Sequence, residues 1–357
     1  MQMGDNKVSG IVKLEDIQNT NSYALLMKGK NKVPLIKIKD NKKPILLITS
    51  VKNTNIGIKN PKFPFDFRTK SGARFIAAIM GDGEINKQIN VRYNNQNKKL
   101  IRLVLKSAQD IFGGVDFKIY ERGDKTFQLH FPKIVGLITI RLGLKPGYKS
   151  KTNYKIPSFI LKSKKEIKAI FLRQFFNDEG SIRLSDRRLQ IKQTLSIKIS
   201  KERCRKNPGK YCHNFLKGIK QLFDSFEISS NIALEGYRNE KVDFGISVYG
   251  KENLEKFQKE IGSDIEEKRN NLDKAIKNYK FPSAPRNKRL LWALDKFKKI
   301  QNKRGYVTKC SLSEESQRSI KTATSFLVDL KKQGKIREIE KPRNKKGHFL
   351  PRKYVWI

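Results

Sequence analysis

Cysteine is scarce in this 357-residue chain: Cys204, Cys212 and Cys310 are an odd number with no CxxC pair. That excludes a disulfide framework and a zinc knuckle of standard spacing. The histidines are as few, His130, His213 and His348, and a Cys204/Cys212/His213 cluster would lack a fourth ligand. No apolar run reaches 18 residues and no secretory core follows the first methionine. Neither a membrane partner nor export is therefore expected, and an intracellular protein is. Acid is the other shortage, with 34 Asp+Glu against 78 Lys+Arg and a net charge of +44. An excess of that size speaks to partners rather than fold, and the usual partner is a polyanion. Apolar residues are not short: a 37% hydrophobic content with 21 Phe argues against wholesale disorder and supplies two or three cores.

Residues 1–66 read as short strands or one short helix between Asn/Lys-rich turns, an N-terminal extension that carries no visible chemistry. "NPKFPFDF", with Pro61 and Pro64, marks a boundary. From 67 to 280 the chain says the same thing twice. "GARFIAAIMGDG" reads as an apolar helix and "EINKQINVRY" as a strand of period two. "KKLIRLVLKS" then reads as a second strand, "AQDIFGG" as a short helix and "TFQLHF" as a strand. "AIFLRQFFNDEG" restarts the pattern. "SIRLSDRRLQI" and "TLSIKIS" follow as strands, "CHNFLKGIKQLFDSF" as a helix, "NIALEGY" and "VDFGISVYG" as strands, and "KENLEKFQKEIG" as a helix. The expectation is an α+β fold of two pseudo-symmetric αββαββα repeats, 67–165 and 166–280.

A third piece, 285–357, holds 21 Lys and Arg against 6 Asp and Glu. Leu290, Leu294, Phe297 and Ile300 make one helical face, and Ala323, Phe326, Leu327 and Leu330 another, closed by Gly334. Ser311 and Glu314 have capping-box spacing for a short helix between them. "KIREIEKPRNKKGHFLPRKYVWI" reads as a hairpin with a basic tip. Helix, short helix, helix and basic hairpin is the layout of a winged-helix-like, nucleic-acid-binding domain.

The acids stand out against this background. "FLRQFFNDEGSI" ends an apolar helix on Asp178 and Glu179, where a carboxylate faces the negative end of the macrodipole at a cost of about 0.3–1 kcal/mol. Side by side, with Ala77, Ala78 and Gly81 allowing close approach, the two helices would bring Asp82 and Glu179 together, 97 residues apart in sequence. Two such carboxylates repel, and a divalent cation resolves the conflict. Oxygen ligands without histidine suit Mg²⁺, with phosphate oxygens and water completing its shell. A phosphodiester hydrolase centre is the chemistry this predicts.

"FIAAIMGDG" (75–83) and "LRQFFNDEG" (172–180) resemble the two signature helices of a single-chain LAGLIDADG homing endonuclease. The resemblance spans roughly 67–280 and implies a saddle of two antiparallel sheets over a long, asymmetric double-stranded DNA target. It implies a monomer that cuts both strands with two or three Mg²⁺ ions shared between the motifs, Mn²⁺ substituting. It carries the ligand role to Asp82 and Glu179, with Gly81 and Asp178 alongside; Gln174 stands where the family has a small residue. Basic residues near the scissile phosphates are expected at Lys106 and Lys201, with Lys133 and Lys251 as second choices. Base reading would fall to strand residues of one face: Asn86, Gln88, Asn90 and Arg92; Arg183 and Ser185, with Ser181; and Thr194, Ser196 and Lys198. Two alternatives keep the architecture: a non-cleaving DNA-binding regulator, and a maturase that binds intron RNA. An intein is not expected, since the chain opens "MQMGDN" and closes "KYVWI".

Overall fold

A computed structural model describes residues 9–18, 21–27, 29–38, 44–238, 241–279, 289–316, 318, 320–340 and 350–357. The chain divides into two units, one running to Tyr249 and resuming over Asn253–Ala275, the other made of Gly250–Glu252 and Ile276–Ile357.

The opening segment contains β1 (Ile11–Val12), α1 (Leu14–Gln18), β2 (Tyr23–Leu26), β3 (Val33–Pro34), a 3-10 turn (Leu35–Lys37), β4 (Ile45–Thr49), β5 (Ile58–Lys59) and β6 (Phe65–Asp66). Next come α2 (Lys70–Met80), β7 (Gly83–Ile85), β8 (Val91–Asn95), α3 (Lys98–Phe112), β9 (Gly114–Val115), β10 (Lys118–Glu121), β11 (Phe127–Phe131) and α4 (Lys133–Arg141). The five-stranded sheet β3-β2-β4-β5-β9 borrows its last strand from behind α3, so residues before 67 are stitched to the first helix–sheet layer. Aromatic packing does the same. Phe112 lies edge-on to Phe65 (5.2 Å), Phe67 (5.8 Å) and Phe75 (5.6 Å), all fully buried. Burial of each is worth roughly 2 kcal/mol.

The later part of the larger unit holds α5 (Ser158–Leu161), α6 (Lys165–Glu179), β12 (Gly180–Arg183), β13 (Arg188–Ser196), α7 (Lys201–Lys206), α8 (Pro208–Tyr211), α9 (Asn214–Asp224), β14 (Ser230–Arg238) and β15 (Lys241–Val248). α10 (Lys251–Glu260) and α11 (Glu266–Lys277) come after them. Among the described residues there are two antiparallel four-stranded sheets, β7-β8-β11-β10 and β12-β13-β15-β14. In each, the strands run first, second, fourth, third in chain order.

Local structure departs from the sequence expectation at several places: "AQDIFGG" is the end of α3, not a separate helix, and "TLSIKIS" contributes its first three residues to the end of β13, not a strand of its own. "KKLIRLVLKS" is the start of helix α3, not a strand. Asn97 caps it by accepting from Lys99 N–H (2.9 Å), and Leu100, Ile101, Val104, Ala108, Ile111 and Phe112 bury one face. "EINKQINVRY" is a hairpin rather than one strand, because Asn86 Oδ1 accepts Asn90 N–H (2.9 Å) and Ile89 turns at φ +68°. "SIRLSDRRLQI" is likewise a hairpin, turning at Arg187 (φ +50°).

The smaller unit contains α12 (Arg289–Arg304), α13 (Lys309–Ser316), α14 (Ile320–Lys332), β16 (Ile336–Glu340) and β17 (Lys353–Trp356). Ala293, Leu294, Phe297, Ile300, Leu312, Phe326, Leu327, Leu330 and Ile336 form its core. Gly334 ends α14 at φ +67°, as its position predicts. α13 is capped one turn earlier than expected: Thr308 and Ser311 exchange backbone-to-hydroxyl bonds (2.9 and 3.1 Å). The hairpin tip, His348 included, lies outside the described residues. No described helix is long and apolar enough to cross a membrane.

Candidate active site at the paired helix ends

α2 and α6 pack along one another and finish together. Thr69 starts α2 by accepting Gly72 N–H (3.0 Å), and its apolar face is buried from Ala73 to Met80. Gly81 closes it with Asp82 next in line; α6 closes on Asp178, Glu179 and Gly180. A β-carbon at Gly81 would fall 2.6 Å from Asp178 Oδ2 and 2.8 Å from its Cβ, so glycine is what lets the ends meet. Asp82 is near enough to Glu179 for its charge to raise the Glu179 pKa.

Each acid is held by an amide on the second strand of its own sheet. Asn95 on β8 donates to Asp82 Oδ2 (2.7 Å), and Gln193 on β13 hydrogen-bonds the Glu179 side chain. Burial raises the pKa of Asp82 and of Glu179; Lys149 opposes it most at both, followed by Lys268 at Asp82 and by the Gln193 hydrogen bond, then Lys268, at Glu179. Those two lysines also serve the helix ends. Lys149 Nζ donates to Gly81 O at the end of α2. Lys268 Nζ donates to Phe176 O (2.8 Å) and Asn177 O (2.6 Å) at the end of α6. Cations at these negative ends are favourable, and here they also face three carboxylates. Burial lowers both lysine pKa values while the acids push them up.

Asp178, expected alongside the two acids, is turned into the helix pair. Its Oδ1 accepts from Tyr93 OH (2.7 Å) and Gln174 Nε2 (3.0 Å), which ties it into a network inside the helix pair. Burial, then repulsion from Asp82, hold its carboxyl well above the usual range. Gln174, fully buried, also donates to Tyr93 OH (3.2 Å) and accepts from Arg74 Nη1 (3.2 Å). Arg74 continues to Asp264 (2.7 Å), which Asn177 Nδ2 joins at 3.0 Å. A polar chain thus fills the crossing where a small residue was expected, and every member has a partner.

The segment delivering Lys149 is pinned along its length. Gly147 N–H bonds Ile85 O (2.8 Å), Ser196 N–H bonds Ser150 O (2.8 Å), and Asn214 N–H bonds Asn153 Oδ1 (2.7 Å). His213, fully buried, accepts Phe215 N–H at Nδ1 (3.2 Å); Nε2 therefore carries its proton and donates to Thr152 O (2.9 Å). Cys204 and Cys212 are buried free thiols.

The donor set at the helix ends is oxygen only. Among the described residues no three His, Cys, Asp or Glu side chains converge into a metal cluster. Two carboxylates with the remaining shell left to water and phosphate suit a Mg²⁺- or Mn²⁺-type ion rather than zinc. The residues fit such a group.

Other sequence-predicted positions scatter. Lys106 is on the exposed face of α3, not after a strand, and Lys201 begins α7, the element next after β13; neither is among the cations acting on Asp82 or Glu179. Lys133 and Lys251 are exposed first residues of α4 and α10. Asn86, Gln88 and Asn90 form a turn, leaving Arg92 alone of that set in a strand. Arg92 lies in a cross-strand row with Glu84, His130 and Lys118. On the second sheet Arg183, Thr194 and Ser196 sit on strands, but Thr194 Oγ1 donates to Asp243 (2.6 Å); Ser185 is in a turn and Lys198 beyond β13. Lys149, Lys268, Asn95 and Gln193 went unread, because only tertiary packing aims them at the acids.

Residues 166–262 match the family described as LAGLIDADG-like domain. Over 227 residues the chain is 28% identical to a probable translation initiation factor IF-2 of Methanocaldococcus jannaschii, matching 60% of this chain but only 17% of that protein. Among solved structures, the homing endonuclease I-DmoI in complex with DNA and Mn is 15% identical. It covers 56% of this chain and 99% of its own, with a TM-score of 0.37. The N-terminal LAGLIDADG domain of DUF199/WhiA is 13% identical and covers 60% and 90%, with a TM-score of 0.34. What the comparisons give is thus a likeness, over residues 166–262, to a LAGLIDADG-like domain.

Proposed function

We propose that the protein is a site-specific double-strand DNA endonuclease of the single-chain, two-motif LAGLIDADG homing type. The observation that carries this reading is the pair Asp82 and Glu179, each at a helix end and each restrained by an amide from its own sheet. The identical strand order of the two four-stranded sheets supports a pseudo-symmetric repeat. Asp82 and Glu179 would hold Mg²⁺, or Mn²⁺ in its place. Bound there, the ion supplies Lewis acidity to the scissile phosphodiester and lowers the pKa of water. Asn95 and Gln193 keep the two carboxylates aimed. The Lys149 and Lys268 ammoniums offer N–H donors and positive charge to a phosphate drawn over the acids, favouring the charge that builds as water attacks phosphorus. Arg92, His130 and Lys118 on one sheet, and Arg183 and Ser196 on the other, would meet a long asymmetric duplex, the protein acting as a monomer. The smaller unit, with its helix–short helix–helix–hairpin order, would add a winged-helix-like grip.

A second reading is DNA or RNA binding without cleavage, as a regulator or an intron-RNA maturase. The specific observation in its favour is that Lys149 and Lys268 place positive charge beside the acids. Asp82→Asn separates the two: the first predicts that Mg²⁺-dependent cutting of duplex DNA disappears while binding persists. Undiminished cutting by that variant would remove the site assignment.

A further inference from the structure

Where the opening five-stranded sheet meets β10 and β11, a cavity of about 430 Å³ is left that the hydrolytic chemistry does not use. That size falls within the roughly 300–1,000 Å³ range of small-molecule sites. Its apolar wall includes Ile56 and Phe117, which are 50% and 41% exposed, large values for side chains of this kind. Its cations are Lys59 and Lys118. The walls are preformed: Asp116 accepts from Lys59 Nζ (2.7 Å) and from Gly57 N–H (2.9 Å), and Asp116 N–H returns a bond to Gly57 O (3.0 Å).

His130 also lines the cavity. Its Nε2 is buried with no hydrogen-bond partner among the described residues, while its ring stands edge-on to Tyr120 at 4.8 Å. A buried polar atom left unpaired is a cost that a ligand can remove. Burial and the charge of Arg92 hold this imidazole below its ordinary pKa, so the ring is neutral and offers one donor and one acceptor. His130 and Lys118 end the cross-strand row that begins at Glu84 and Arg92, so a strand lying on that row runs off the sheet edge into the cavity.

We propose that this cavity receives one unstacked nucleobase of the bound strand, stacked on Phe117 beside Ile56, with His130 bonding the base edge and Lys59 and Lys118 taking its phosphates. Base stacking on aromatic side chains tolerates any sequence because every base has a π-face, which suits a contact outside the cut site. The inference rests on the reading that this face of the sheet meets nucleic acid, and it gives the segment before residue 67 a role in holding substrate.

The test is binding of a single-stranded oligodeoxynucleotide carrying one central 2-aminopurine, followed by fluorescence quenching in EDTA. An oligonucleotide of the same length built wholly of abasic sugar-phosphates serves as comparison. Phe117→Ala removes the stacking partner and Ile56→Trp fills the cavity. Both positions are exposed, and unchanged thermal midpoints verify the fold. The expected result is saturable quenching by the unaltered protein, at least fivefold weaker affinity in either variant, and equal binding of the abasic strand by all three. Equal affinity of all three for the 2-aminopurine strand would overturn the proposal. So would displacement of the probe by equimolar adenosine 5′-monophosphate, which would assign the cavity to free nucleotides. EDTA prevents cutting, so failure here is distinct from failure of the endonuclease reading.

Discussion

Gly81 and Asp178 touch across the helix pair so closely that a β-carbon on the glycine would lie 2.6 Å from the Asp178 carboxylate oxygen. This contact sets how near the two acidic helix ends can come, and the approach of Asp82 to Glu179 depends on it.

Gly81→Ala is therefore expected to destabilise by about 2 kcal/mol, the usual scale for overpacking a well-filled interface. Gly209→Ala is the control, since a β-carbon at Gly209 meets nothing within 4 Å. Urea unfolding midpoints of the two variants compare them directly, and equal midpoints would mean that the helix ends separate freely.

Lys149 is the largest charge holding the acids in check, the strongest group opposing the effect of burial at both Asp82 and Glu179. In Lys149→Met the carboxylates lose that counter-charge while keeping the helix-end geometry. The variant should melt several degrees lower than the unaltered protein in EDTA and recover more on adding millimolar Mg²⁺, because a ligand that binds the folded state stabilises by mass action. A Mg²⁺ response no larger than that of the unaltered protein would place the cation elsewhere.

His213 makes stability depend on pH. Burial depresses its folded pKa below the unfolded value near 6.5, so between the two the unfolded chain binds more protons. Its contribution is complete above about pH 6.5 and is lost as pH falls from there toward the folded value. His213→Asn keeps an N-cap acceptor for Phe215 N–H without the titration. The stability difference between the two proteins should shift by up to about 1.4 kcal/mol per pH unit across that window. Parallel pH profiles would show that His213 does not titrate on unfolding.

Sequence revealed the helix ends and hid what surrounds them. Asp82 and Glu179 were legible because glycine after acid after an apolar helix occurs twice. Lys149 was not, since it lies in an irregular stretch without periodicity and reaches Gly81 O only through the pinning of Gly147, Ser150 and Thr152. Lys106 was placed after a strand because "LIRLVL" is a short, almost wholly aliphatic run that reads as one, and the 3.6-residue period of α3 emerges only when the segment is followed to Phe112. Gln174 was visible as an oddity in an apolar helix. Its purpose, tying Tyr93, Asp178 and Arg74 together, belongs to the third dimension.

If Asp82 and Glu179 together cut DNA, the direct measurement is Mg²⁺-dependent cleavage of a randomised duplex-DNA library, sequencing the ends produced, with Glu179→Gln alongside. Discrete double-strand cuts within one long asymmetric sequence are expected, absent from the variant. A library left intact by a protein that still binds DNA or RNA tightly would refute the endonuclease and leave the regulator or maturase in its place.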